Sequence, residues 1–240
     1  EKMNLNDTAA YVIELDASES ALGNIFYTVK HGAQTVVQRS PLGLELEDQS
    51  FSQNLFFQSI ESKKINDSYT LMNGKKSECS NHGEEKAISF LNENGQEIVI
   101  IARAYNDGVA FRYSFPDAAG DEKIFAGELT GFHMPPGDAF IMPYDEPSKY
   151  LPAYENYYEK YEIGSPSPKE TGWAFPALFS VNNGGNYILI SETALYGNYC
   201  GVRLKADATD GLYQVRFPEQ ADGEGVGAVL LDGAARQAQR

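Results

Sequence analysis

Ile98-Val99-Ile100-Ile101-Ala102-Arg103-Ala104-Tyr105-Asn106-Asp107-Gly108-Val109-Ala110-Phe111-Arg112-Tyr113-Ser114-Phe115 is the stretch that decides the fold. Its first half is an apolar run from Ile98 to Ala104, broken only by Arg103. Its second half alternates, with Val109, Phe111, Tyr113 and Phe115 on one face and Ala110, Arg112 and Ser114 on the other. A period of two belongs to a strand, because successive side chains point to opposite faces. Asn106-Asp107-Gly108 between the halves is a turn signal, so the stretch reads as a β-hairpin.

The same grammar extends in both directions. Tyr11–Leu15, Ile25–Val29 and Gln34–Val37 are short runs of β-branched and aromatic residues, and His31-Gly32 makes a tight turn between the last two. Asn73-Gly74 and Asn94-Gly95 repeat the signal. Further strands are expected over Ile124–Phe132, Ala139–Met142, Tyr187–Ser191, Val202–Ala206 and Tyr213–Phe217. Turns recur about every ten residues, which favours a sandwich of antiparallel sheets over βαβ units. Helical periodicity is nearly absent. Tyr144–Glu162, interrupted by Pro147 and Pro152, leaves room for one short helix or an ordered loop, and Gly164–Pro168 reads as a surface loop. The expected fold class is therefore all-β, with few or no helices. Residues 1–218 form the domain, and 219–240, rich in glycine and alanine, form an irregular segment.

With 34 acidic and 19 basic side chains the chain carries a net charge of −15. That field repels a polyanion, so nucleic acid is excluded as a partner; a neutral sugar is indifferent to the field and a cation is drawn by it. No apolar run reaches the length of a membrane span. The N-terminus, Glu1-Lys2-Met3-Asn4, has no apolar signal core, as in a cytosolic protein or one whose signal has been removed. Cys79 and Cys200 could pair, but their spacing does not require it, and no Cys-x-x-Cys suggests a metal.

No nucleophile elbow or phosphate-binding glycine loop is present. His31, His82 and His133 lie beside turns or in polar stretches, as surface histidines do. Glu45, Glu47 and Asp48, and Glu155, Glu159 and Glu162, read as solvated clusters. Glu192 differs: it follows the buried-type strand Tyr187-Ile188-Leu189-Ile190-Ser191, and a carboxylate there needs water, a hydrogen bond or a cation. Arg103 and Arg112 are expected to form structural ion pairs. The 13 Phe and 15 Tyr residues suit sheet surfaces, and Trp173, Tyr154, Tyr157 and Tyr158 are candidate exposed stacking faces for a sugar.

Three motifs resemble the N-terminal domain of glycoside hydrolase family 97. They are Arg39-Ser40-Pro41-Leu42-Gly43-Leu44-Glu45-Leu46, then Arg103-Ala104-Tyr105-Asn106-Asp107-Gly108-Val109-Ala110-Phe111-Arg112-Tyr113, and finally Phe175-Pro176-Ala177-Leu178-Phe179 followed by Ile188-Leu189-Ile190-Ser191-Glu192-Thr193-Ala194-Leu195. The resemblance implies a β-super-sandwich similar to galactose mutarotase, packed on a (β/α)8 catalytic barrel that lies beyond this chain. It implies a bacterial, periplasmic or secreted, exo-acting α-glucosidase or α-galactosidase acting on α-linked oligosaccharides or glycosides. It also implies an active-site calcium held mainly by barrel glutamates, with Glu192 at the position of the one glutamate lent by this domain. No catalytic residue is expected here, and the isolated chain is expected to be inactive. Trp173, Tyr154, Glu155 and Tyr157 are the candidate substrate contacts. The alternative is a stand-alone carbohydrate-binding module; a mutarotase-like epimerase would need a His and Glu pair that no motif suggests.

Overall fold

The structure, a computed structural model, describes residues 2–5, 11–17, 23–116, 123–144, 156–194, 200–218, 229–232 and 234–237; for 2–5 and for the two segments after 228 it describes the backbone. Among these residues the fold is antiparallel strand throughout, with one 3-10 turn at Thr209–Gly211.

A seven-stranded sheet forms one layer, in the spatial order Lys2–Leu5, Tyr11–Asp16, Ile25–His31, Gln34–Leu42, Gly131–His133, Leu212–Arg216, Arg203–Leu204. In Ile25–His31, residues Ile25, Tyr27 and Val29 are buried while their neighbours are half-buried, as the alternation predicts. Val36 and Val37 are both buried although they are adjacent. Register shifts in the pairing with Ile25–His31 account for this, because a bulge turns successive side chains to one face.

Two four-stranded sheets face that layer. The first runs Val109–Ser114, Glu97–Tyr105, Glu78–Leu91, Phe56–Thr70, and the second runs Glu159–Glu162, Gly137–Ile141, Ala177–Val181, Asn186–Ile190. Tyr11–Asp16 packs on both Glu97–Tyr105 and Val109–Ser114. Phe179 and Tyr213, with ring centroids 4.9 Å apart, join the second sheet to the seven-stranded one. A small sheet of Phe125–Glu128, Leu44–Leu46 and Ser50–Phe51 closes one end. One continuous core runs between the layers, from Ile13 and Leu15 through Ile98 and Ile100 to Trp173, Phe179 and Leu204.

The hairpin expected around Asn106-Asp107-Gly108 is present, with Val109 opposite Ala104 and Ser114 opposite Val99. The expected single strand Ile124–Phe132 is instead two, Phe125–Glu128 and Gly131–His133, which join different sheets. Residues 145–155, where a short helix or ordered loop was expected, lie outside the described residues, and Glu159–Glu162 at their far side is a strand paired with Gly137–Ile141. Asn73-Gly74 sits in the turn of a long hairpin whose first strand, Phe56–Thr70, buries only Ile65. Cys79 and Cys200 are free thiols. In the segment expected to be irregular, Val229–Asp232 pairs with Ala234–Gln237, and neither joins another sheet among the described residues.

Candidate functional site

Val109–Ser114 and Asn186–Ile190 are each the last strand of their sheet, and they border one cleft. The cleft has a volume of about 730 Å³ and is lined by the consecutive runs 107–115 and 187–194. Its floor is the inner face of the seven-stranded sheet, with Tyr27, Val29, Val37 and Phe132. Two phenols and a threonine in the wall are satisfied internally. The Tyr113 hydroxyl accepts from the Gly43 N–H at 2.9 Å and shares a 2.7 Å hydrogen bond with Thr130 Oγ1. Tyr27 donates its hydroxyl to the Gly131 carbonyl at 2.7 Å. Burial pushes the pKa of both phenols up, so they stand neutral at the cleft wall.

Glu192 lies just past the end of Asn186–Ile190, at the cleft rim. The Val202 N–H donates to both of its carboxylate oxygens, Oε1 at 3.1 Å and Oε2 at 3.2 Å. Ala194, two residues on, has φ +60°, a left-handed conformation that a residue with a Cβ adopts at a cost. Burial, and secondarily the negative charge of Glu128, push the Glu192 carboxyl up to about 6 against that one hydrogen bond. Among the described residues no cationic side chain pairs with it. Burial, with Glu128 and Glu192 nearby, also pushes the Cys200 thiol up to about 12, which leaves it no nucleophilic character near neutrality.

The sign of the Glu192 shift has a consequence for stability. The unfolded carboxyl ionises near 4.5 while the folded one holds its proton to about 6. The folded state therefore binds more protons in that window, and stability falls as pH rises through it. Glu192→Gln is expected to be neutral below pH 4.5 and to raise the melting temperature of this chain above pH 6. Thermal melts of both forms across that range check the crossover.

The profile of the glycosyl-hydrolase 97 N-terminal family matches residues 9–227. The chain belongs to this family. The GH97 N-terminal domain described here is 28% identical over 207 residues to the "Probable retaining alpha-galactosidase" of Streptomyces bingchenggensis (strain BCW-1), covering 85% of this chain and 30% of that protein. Its fold is similar to the crystal structure of a beta-arabinopyranosidase, with a TM-score of 0.87 at 25% identity over 99% of this chain and 38% of that one. It is also similar in fold to a Glycoside Hydrolase Family 97 enzyme of Pseudoalteromonas sp. strain K8 in complex with panose, with a TM-score of 0.76 at 19% identity over 98% and 34%. The domain thus spans about a third of the length of the proteins it resembles.

Within the GH97 domain the expected site residues separate. Glu192 is at the cleft, and so is Arg112, which lines it without an ion pair among the described residues, contrary to the expected pairing. Arg103 does pair, with Glu85 at 2.6 Å. Trp173 was expected as an exposed stacking face and is fully buried; its ring packs edge-on to Tyr161 at 4.8 Å, and its backbone bridges Leu204 and Pro143. Tyr157 and Tyr158 are exposed but do not line the cleft, and Tyr154 and Glu155 lie outside the described residues. His31 bonds Asn186 and His133 bonds the Asp210 carbonyl, so both serve the scaffold. Glu128, which acts on both Glu192 and Cys200, had no signal in the sequence, because it ends a four-residue strand of ordinary composition.

Proposed function

We propose that this domain forms part of a longer, calcium-dependent, exo-acting α-glycosidase, packs on the catalytic barrel, and lends Glu192 to the calcium at the active site. The observation that carries the reading is the state of Glu192: half-buried at the cleft rim, held by one backbone N–H, and unmatched by a cationic side chain among the described residues. A cation offsets the desolvation that raises its pKa. Carboxylate oxygens are what calcium takes, but calcium needs six to eight oxygen ligands. Among the described residues no three His, Cys, Asp or Glu side chains gather, so the described part of this chain does not by itself bring together a full calcium ligand set. When bound, calcium would supply electrophilic assistance to the reacting oxygens. This chain's own part is to fix the Glu192 carboxylate through Val202 and to wall the sugar site.

The substrate would be a neutral α-linked glucoside or galactoside, in keeping with the names of relatives and with a surface charge that neither attracts nor repels such a ligand. The general acid and the nucleophile or base would come from the barrel, since glycoside hydrolysis needs a carboxyl pair across the scissile bond. Periplasmic or secreted placement goes with this reading. In calcium titrations, the isolated chain is expected to bind weakly and to turn over no aryl α-glycoside. The intact protein encoded by the gene should bind tightly, and Glu192→Gln should weaken its affinity by at least about tenfold, the lower range seen even for residues one step removed from a metal. Unchanged affinity in that variant, or turnover by the isolated chain, would sink the proposal. The binding-module reading loses one of its four stacking candidates with the burial of Trp173.

A further inference from the structure

The long hairpin of Phe56–Thr70 and Glu78–Leu91 outgrows its sheet. Glu97–Tyr105 accompanies it only as far as the row Ile65–Gly83–Tyr105, where the Tyr105 ring lies against Gly83. Past that row the two strands run on alone for five pairs, Asn66 opposite His82 to Thr70 opposite Glu78. The Leu71 N–H then closes the turn on the Ser77 carbonyl at 2.7 Å. Every residue from Asn66 to His82 is exposed except Cys79, which is half-buried. At the rise of a strand, five pairs carry the turn about 17 Å clear of the sheet. A two-stranded ribbon with no buried face is marginal in water, so this one adds nothing to the core.

The tip differs in composition from the rest of the chain. Tyr69 and Leu71 are 46% and 44% exposed, and Met72, at 97%, is the most exposed large apolar residue among those described. Lys75 and Lys76 follow on the return, and no acid stands between Ser68 and Ser77, in a chain of net charge −15. Glu78 and Asp67 lie behind, on the ribbon. Charges are screened over about 8 Å at physiological ionic strength, so the ribbon holds both lysines roughly two such lengths from the acidic body. Three apolar side chains and two lysines are too small a surface for a stable protein interface, which takes about 800 Å² from each partner. The ribbon behind them, with Asn66, Ser68, Ser80 and Asn81, is polar. A bilayer surface asks less. Aliphatic side chains enter its acyl boundary, lysines meet anionic headgroups, and a tyrosine sits at headgroup level. At so shallow a depth the backbone groups of the turn keep water as a partner.

We propose that the Asn66–His82 ribbon is a surface anchor, which sets Leu71 and Met72, flanked by Lys75 and Lys76, into an anionic lipid surface without crossing it. The anchor is independent of the cleft and of the calcium reading at Glu192. Flotation of the 240-residue chain with vesicles tests it. The chain is expected to float with mixed phosphatidylglycerol–phosphatidylcholine vesicles and to stay behind with phosphatidylcholine alone. It should be released in about 1 M salt, where the screening length shrinks to about 3 Å. A Leu71→Asp/Met72→Asp variant and a Lys75→Glu/Lys76→Glu variant should each lose at least about tenfold in partition coefficient. Both should melt with the parent, because the altered side chains are exposed. Failure of the parent chain to float with the anionic vesicles overturns the inference, as does equal flotation of all three proteins. A concentration-dependent dimer that the Leu71→Asp/Met72→Asp variant loses would assign the tip to a second copy and overturn it too. So would flotation by this chain but not by the intact protein encoded by the gene, since the remainder of the polypeptide would then cover the tip.

Discussion

Trp173→Ala is expected to destabilise this chain by about 3–5 kcal/mol, the range for emptying the site of a large aromatic side chain. In a chain of this size that corresponds to a fall in melting temperature on the order of 10 °C. The indole is the largest fully buried side chain among the described residues, it packs edge-on to Tyr161, and the backbone of Trp173 bridges Leu204 and Pro143. Among the described residues its Nε1–H has no acceptor. A buried donor without a partner costs about 1–3 kcal/mol. Trp173→Phe trades lost volume against relief of that cost and should fall well short of the alanine variant. Thermal melts of the three proteins give the order; an alanine variant as stable as the parent would mean that Trp173 is not the core anchor described.

Gly172→Ala should be comparably severe for a different reason. Gly172 has φ +100°, and a Cβ built there would lie 1.9 Å from the Leu204 carbonyl oxygen. That oxygen accepts the Trp173 N–H at 2.9 Å, and the Gly172 carbonyl accepts from both the Tyr144 N–H and Ser167 Oγ. The backbone cannot give way without breaking the bridge that carries Trp173. The expected cost is about 3 kcal/mol or more, from left-handed strain and the clash together. Gly32→Ala serves as the control: φ is +58°, but nothing lies within 4 Å of the added Cβ. There only the strain of about 1–2 kcal/mol applies. Denaturant midpoints of the two variants should therefore separate clearly, and similar midpoints would show that the approach of Leu204 imposes no constraint.

The parts of the fold legible in the sequence were those where one face is buried and a turn is marked. Ile25–His31 and the hairpin about Asn106-Asp107-Gly108 satisfy both conditions, and their registers follow from the alternation. Phe56–Thr70 was marked only by its turn, because a strand that buries Ile65 alone carries no apolar period. Leu44–Leu46 and Ser50–Phe51 are too short to have one. The split at Leu129-Thr130 was hidden because the change of sheet is a tertiary event that neither a proline nor an Asn-Gly turn marks in Ile124–Phe132. In the site, Glu192 could be found because a carboxylate after five strand-type residues conflicts with its surroundings. Glu128 and Arg112 arrive from strands distant in sequence, and only the closing of the cleft gives them their meaning.

The long hairpin of Phe56–Thr70 and Glu78–Leu91 has one more consequence. Its first strand is an outer edge, nearly all exposed, and begins with Phe56 and Phe57. Such a strand invites sideways growth of the sheet into fibrils. Glu61, Lys63, Lys64 and Asp67 interrupt its middle, so a copy docking edge to edge would have to strip water from charge along the centre of the strand. Resistance to edge-on association at this margin would thus rest on four exposed side chains that contribute nothing to the core.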